Sequence, residues 1–385
     1  MRIKSVRTVR LRIPWAEPST PARRKSWNHS AARALPLNKY PEFSRYPGQL
    51  PGMGGQVWVQ IVAEDGTFGL GVCTFGDPVA TLIEQVFAPL LEGRDCLATE
   101  FLNDLMWRAM QRPGIAGHAA VAQSGVDLAL WDLKGKLLGV PVYSLLGGPC
   151  REKIPLYATG DDLDWAMELG FQAFKVTNPV HYDSGTKGLN QLEQKIGLAR
   201  DTIGADADLM LNAVMSYNVE FAVQVAERLR PFHMRWLEEP LIPIDLEGHI
   251  ELKRSVPWMP LATGEDHHGR HAFRQLVENR CVDVLQPDIN WCGGLSEAIK
   301  IYTIGEAAGL ISVPHGGANS PFGQHFALAL PESPVAEYWL GTDPGIPLEE
   351  LRHIPGMATP IDGYVTPSDA PGFGLGIEED WISPR

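Results

Sequence analysis

Seven residues able to carry charge or bind an ion stand at the ends of short apolar segments in this 385-residue chain: Lys175, Asn212, Glu238, Glu265, Asp288, His315 and Glu337. A purely structural framework has no use for them, because buried charge is costly unless paired or metal-bound. Asn212, Glu238 and Glu265 end consecutive segments and offer hard oxygen donors, a set suited to Mg²⁺ with water or substrate completing the shell. Asp288 and His315 end the next two. A carboxylate on one imidazole nitrogen fixes the tautomer and leaves the other free as a base near neutral pH, and VPHGG places two glycines that leave the ring uncovered. Glu337, if protonated, would hydrogen-bond a substrate carboxylate oxygen.

The segments themselves recur at 154–160, 174–177, 209–213, 236–240, 261–265, 284–288, 311–316 and 335–339, with helical stretches between them. That order implies parallel βαβ units, and eight of them close into a barrel whose chemistry sits at the C-terminal strand ends. Ser216 is the expected cap of the helix carrying Phe221, Val225 and Leu229, and Gly309 the expected stop of the one beginning LSEAIK. Residues 1–125 read as a separate α+β unit, with a hairpin turn at Asp65-Gly66. Within it, residues 16–55 lack periodicity and are rich in Pro, Arg, Ser and Tyr, as a functional lid would be. The barrel is expected over 126–354, and 355–385 to pack back on the first unit.

A net charge of −13 argues against nucleic acid or an anionic membrane as partner, and requires local cations if the ligand is an acid. No run of about 18 apolar residues exists to span a membrane. The five cysteines are odd in number and never spaced as C-x-x-C, so neither a disulfide framework nor a zinc ribbon is expected, and a cytoplasmic location is. MRIKSVRTVRLRIPW alternates basic and branched residues, as a first strand does.

Long pieces of this sequence, VDLALWDLKGKLLGVPVYSLLGG (126–148), WLEEP (236–240), TGEDHHG (263–269), LQPDINWCGGL (285–295), VPHGG (313–317) and PGFGLGIE (371–378), resemble the mandelate racemase subgroup of the enolase superfamily. His267-His268, WCGG and PLNKYPEFSR (36–45) are similar to its rhamnonate-type sugar-acid dehydratases. The resemblance implies a modified (β/α)7β barrel of the (β/α)8 (TIM) type beneath an α+β capping domain. It implies Mg²⁺ on Asn212, Glu238 and Glu265, a His315–Asp288 base, and Lys175 and Glu337 stabilising an enediolate. His29, Arg45, His267 and His268 then become the substrate contacts, and a homo-oligomer, dimer or octamer, is expected. Two positions differ from the family pattern. The first metal ligand is Asn212 instead of Asp, and the paired lysines of the racemase are here Lys175-Val-Thr177, so only one side of the site keeps a base. Dehydration of an aldonate to a 2-keto-3-deoxy acid is the expected reaction. A racemase or epimerase, or a non-catalytic sugar-acid-binding relative, stays open.

Overall fold

Alternation of apolar and polar residues in the first segment, and a turn that only glycine makes easily, build the N-terminal sheet. The computed structural model describes residues 1–30, 33–43 and 54–385. Strand β1 (Ile3–Leu11) pairs antiparallel with β2 (Val57–Ala63), which pairs with β3 (Phe68–Cys73). At the β2–β3 turn Gly66 has φ +91° and Thr67 N–H donates to Asp65 Oδ1 at 3.0 Å, the local chemistry expected of Asp-Gly.

The helix His118–Leu138 joins this unit to the rest. It is buried nearly all round because it faces two cores: Val126, Ala129, Leu130 and Leu133 pack into the N-terminal unit, while Leu128 and Trp131 pack into the barrel. The expected boundary at 125/126 therefore falls inside an element that both units share. Close approach of helix and sheet depends on Gly69 and Gly71, where an added Cβ would lie 2.2 Å from Ala129 O and 2.2 Å from Gly125 O.

Eight parallel strands follow: β4 (Ile154–Thr159), β5 (Ala173–Thr177), β6 (Asp208–Asn212), β7 (Trp236–Glu238), β8 (Leu261–Thr263), β9 (Val284–Leu285), β10 (Ile311–Ser312) and β11 (Ala336–Trp339). Hydrogen bonding runs β10-β9-β8-β7-β6-β5-β4-β11, so the last strand returns beside the first. No ladder joins β10 to β11 among the described residues. That seam is bridged by Ser312 N–H to Glu332 O at 2.8 Å and Gly316 N–H to Glu337 Oε2 at 2.8 Å. Each strand from β4 to β10 is followed by an α-helix and β11 by none among the described residues, which makes this a (β/α)7β barrel. Two short strands finish the chain: β12 (Tyr364–Val365) lies antiparallel to β4, and β13 (Ile382–Pro384) returns to β1. Asn218, and not Ser216, caps the helix Val219–Leu229, because the Ser216 hydroxyl is taken by Ala213 O at 2.5 Å and Asn178 Nδ2 at 2.7 Å. The helix Leu295–Ala307 stops just before Gly309, at φ +77°.

Inside the barrel Tyr157, Met210, Trp236, Ala262, Val284 and Val313 form an apolar floor, with Ala173 and Val335 packed against it. Side chains two residues apart on a strand share a face. One step above the floor therefore come Thr159, Lys175, Asn212, Glu238, Gly264, Gln286, His315 and Glu337. The polar layer is a direct product of strand periodicity. All five cysteines are free, and no helix among the described residues is long and apolar enough to cross a membrane.

Gly71→Ala should cost about 1–3 kcal/mol, the usual range for overpacking, read as a lower denaturation midpoint. An unchanged midpoint would show that the helix can move aside without loss.

Candidate active site

Lys175 is the centre of the polar layer and is 1% exposed. Its ammonium bonds Glu238 Oε1 and lies 2.7 Å from Glu337 Oε1. Both carboxylates are then held from other directions. Glu238 accepts from Asn212 Nδ2 at 2.8 Å, Trp236 Nε1 at 2.9 Å and Gln286 Nε2 at 2.7 Å. Glu337 accepts from Thr159 Oγ1 at 2.5 Å and from Gly316 N–H at 2.8 Å. Burial alone would raise the Glu337 carboxyl, but Lys175, His315 and the hydrogen bonds outweigh it and bring its pKa down to about 2. In this arrangement Glu337 is ionised, whereas a hydrogen bond from it to a substrate oxygen needs the proton that Lys175 disfavours. Burial likewise opposes charge on Lys175, and Glu238 and Glu337 reverse that, leaving its pKa well above the ordinary lysine value.

Beside this triplet stands His315. Its Nδ1 is 2.8 Å from Asp288 Oδ2, and Nε2 lies 3.7 Å from Glu265 Oε2. Asp288 is itself fixed by Asn290 N–H at 2.7 Å. Burial lowers the imidazole pKa, but Glu265 and the Asp288 bond dominate and hold it well above the ordinary histidine value. Burial, with Asp266 and Glu238 adding to it against His315 and Lys175, pushes Glu265 up to about 7. The Trp291 ring packs at a 41° tilt 5.3 Å from His315 and 5.4 Å from Phe75 of the N-terminal unit, so both units shape the surroundings of the base.

Glu239, Glu265 and Asp266 each offer an oxygen, all within 4.8 Å of one another. Glu239 is 1% exposed, and its Oε2 has no hydrogen-bond partner. Burial first, then Glu265, Asp266 and Glu238, raise its pKa well above the carboxylate range. An orphaned buried carboxylate oxygen in a set of hard donors fits a divalent cation with oxygen preference. The backbone here is strained as well: Val214, Met215 and Glu239, just past β6 and β7, are non-glycine residues with φ of +46°, +58° and +44°. Such strain collects at functional sites.

The cavity above these groups holds about 520 Å³ and is open to solvent between barrel and N-terminal strap. Its barrel side includes Thr177, Asn212, Glu265, Asp266, His315 and Glu337, and its strap side includes Trp27, Arg33 and Leu37. The described part of the lid is docked to the strand ends: Trp27 Nε1 donates to Leu340 O at 2.6 Å, Ser26 N–H to Asp343 Oδ1 at 2.9 Å, and Ala34 N–H to Asn178 O at 2.8 Å. Thr177 carries no charge of its own; its hydroxyl binds Asp161 at 2.6 Å and Lys195 at 2.9 Å, a lysine arriving from the helix Gly185–Ile203.

Of the expected substrate contacts, Arg45 lies outside the described residues. His29, His267 and His268 are not among the cavity's lining residues. His29 is turned to Asp343 Oδ1 at 3.0 Å. His267 is packed against His249 and Phe273, and burial pushes its pKa down to about 3. His268 precedes the helix Gly269–Glu278, where burial lowers its pKa against the pull of Asp288. The residues that sequence reasoning passed over are Arg33, Glu239, Asp266 and Gln286. Gln286 had a signal, since it stands two residues after Val284; Arg33 had none, because the strap has no period.

The sequence matches the family described as enolase C-terminal domain-like over residues 161–381. It matches the mandelate racemase / muconate lactonizing enzyme N-terminal domain over residues 53–147. An L-rhamnonate dehydratase of Saccharopolyspora erythraea is 37% identical over 352 residues, 90% of either chain. Rhamnonate dehydratase of Gibberella zeae, solved in complex with Mg, superposes with a TM-score of 0.89 at 31% identity, over 99% of this chain and 95% of that one. A racemase of Streptomyces coelicolor A3(2) with bound magnesium gives a TM-score of 0.76 at 27% identity over 98% of both chains.

In metal-free protein the ¹⁵N shifts of His315 should report an imidazolium at pH 7. Asp288→Asn should move its titration to lower pH, because the lost carboxylate favours the charged ring. A neutral ring in the unaltered protein at pH 6 would contradict this electrostatic account.

Proposed function

Since the chain belongs to the enolase superfamily, with the N- and C-terminal domains of the mandelate racemase and muconate lactonizing enzymes, we propose that it is a Mg²⁺-dependent sugar-acid dehydratase. Its substrate class is an aldonate resembling L-rhamnonate. The observation that carries the reading is the one-sided base: His315 faces the cavity with Asp288 behind it, and Thr177 stands where a second lysine would be needed for proton return on the other face.

His315 Nε2 takes the C2 proton, and the electron pair of the C–H bond moves into the carboxylate to give an enediolate. Lys175, buried behind the cavity-lining Glu337 at 2.7 Å, supplies positive charge toward the developing oxygen anion. Collapse of the enediolate breaks the C3–O bond, and the departing hydroxide leaves as water once protonated, His315 returning the proton it took. The enol so formed tautomerises to a 2-keto-3-deoxy acid. Asp288 keeps Nδ1 protonated throughout, so Nε2 is the nitrogen that exchanges protons. Arg33, poised 5.6 Å over the Trp27 ring at the strap side, is placed to meet the anionic or hydroxylated end of the substrate. Oxygen donors able to hold the cation stand at the ends of β6, β7 and β8, and the set would include Glu265. When bound, Mg²⁺ would neutralise these carboxylates, lower the pKa of His315 into a useful range and stabilise enediolate charge. The racemase likeness leaves proton exchange without elimination as the competing outcome.

Aldonates of five and six carbons, incubated with Mg²⁺, should release α-keto acid detectable with semicarbazide. His315→Asn should lower that rate by about 10²–10⁴, the usual yield of a general base. Deuterium exchange at C2 without keto acid would assign the chain to epimerisation instead, and full activity in His315→Asn would end the proposal.

A further inference from the structure

Resting on the sugar-acid reading above, we infer that Thr177 is a specificity residue that accepts a hydrogen bond from one substrate hydroxyl, with Asp161 and Lys195 fixing its polarity from behind. Thr177 ends β5 two residues after Lys175, so its side chain shares the inward face, and it lines the cavity. A hydroxyl has one proton to give and two lone pairs with which to receive. The Thr177 proton is committed, because Oγ1 donates to Asp161 Oδ2 at 2.6 Å. One lone pair is taken by Lys195 Nζ at 2.9 Å. A single lone pair is left for a ligand, and it calls for a donor. The carboxylate of a sugar acid has no donor to bring there, so Thr177 reads the polyol part of the chain.

The two residues behind Thr177 leave its hydroxyl little freedom to turn. Asp161, in the loop after β4, also accepts the Thr177 N–H through Oδ1 at 3.0 Å, so one carboxylate grips backbone and side chain together. Lys195 reaches the cluster from the helix Gly185–Ile203 and donates to Thr177 O at 2.6 Å and Asp161 Oδ2 at 2.9 Å. With the Thr177 hydroxyl, that makes three acceptors for the three protons of its ammonium. Turning the Thr177 proton into the cavity would exchange a charge-assisted bond to a carboxylate for a neutral one to a substrate oxygen, which is the weaker of the two. Lys195 and Asp161 are therefore positioning residues. They touch no substrate, and they decide which kind of partner Thr177 takes.

The test is calorimetric binding of L-rhamnonate and its monodeoxy and deoxyfluoro analogues, with Mg²⁺ present and His315→Asn as the background that prevents turnover. Fluorine donates nothing and accepts weakly, so it separates the two polarities. Thr177→Val should raise the Kd of the parent acid about three- to tenfold, the range for one hydrogen bond. It should leave unchanged the Kd of one deoxy analogue and of the fluoro analogue at the same carbon, and Thr177→Ser should restore the difference. Lys195→Met should weaken the same selectivity, and adding it to Thr177→Val should cost the parent acid nothing more. A lysine that only supports the fold would instead weaken parent and analogues alike, and that result overturns its positioning role. Equal losses for every acid in Thr177→Val, or a fluoro analogue that keeps the parent's sensitivity to Thr177→Val, overturn the inference. The dehydratase reading survives those outcomes, because it is judged on keto-acid release by the unaltered protein. Absence of binding by any six-carbon aldonate at millimolar concentration overturns both.

Discussion

Everything at the mouth of this barrel is arranged around one ammonium that cannot reach water. Lys175 sits above the Tyr157 ring, its Nζ 5.5 Å from the centroid, with Glu238 on one side and Glu337 on the other. A buried ion pair is weak evidence for stability, since desolvation consumes most of its Coulomb energy. Its strength lies in geometry. To bury Lys175, the protein must fix carboxylates on β7 and β11, and those carboxylates must be satisfied in turn by Asn212, Trp236, Gln286, Thr159 and the Gly316 N–H. Gly316 follows His315. The chain of obligations that begins with one lysine thus ends by positioning the backbone of the proposed base.

Coupling to the N-terminal unit follows the same logic. Asp127, in the helix shared by the two cores, accepts from Asn103 Nδ2 at 2.9 Å and Ser296 N–H at 2.9 Å, and Ser124 accepts from Gly293 N–H at 2.9 Å. These bonds secure the Trp291-Cys292-Gly293-Gly294 loop, and Trp291 is the ring that packs against His315. Burial pushes Asp127 up to about 6, a measure of how far this junction is from solvent. The strap that roofs the cavity is tied to the loops after β4 and β11 by Asp162, Asp343 and Glu350. Acidic loops and a basic strap explain how a chain of net charge −13 keeps cationic groups near the cavity.

Strand order, the hairpin and the His315–Asp288 contact were legible in the sequence because each has a local cause. Apolar runs bounded by polar ends mark the strands, Asp65-Gly66 marks the turn, and adjacent strands put their ends together. Two kinds of information were not local. One is which way a side chain turns where the backbone leaves the strand period: Glu238 points down to Lys175, Glu239 follows it at φ +44°, and WLEEP reads the same for either. The other is the fate of residues that owe their place to tertiary packing. His267 and His268 are adjacent in sequence, yet His267 is sealed against Phe273 and His268 opens the next helix near Asp288. Paired histidines signalled function by type alone, and burial decided otherwise for His267.

The charge balance of the cavity gives the deepest reason for a cation. Glu238, Glu239, Glu265, Asp266, Asp288 and Glu337 gather around it against Lys175 and His315, and burial first, with the neighbouring carboxylates adding to it, raises Glu239 and Glu265 toward their protonated forms. A second consequence is that the same excess keeps His315 protonated, which is the wrong state for a base. Both tensions have one remedy, a positive ion among the carboxylates, after which the acids can ionise and the imidazole can release its proton. An acidic substrate would then enter a site whose negative charge has been offset, with Arg33 at its strap side. On this account the acidity of the strand ends is what makes binding of ion and substrate interdependent, and a neutral Asn212 moderates that acidity without surrendering a hydrogen bond.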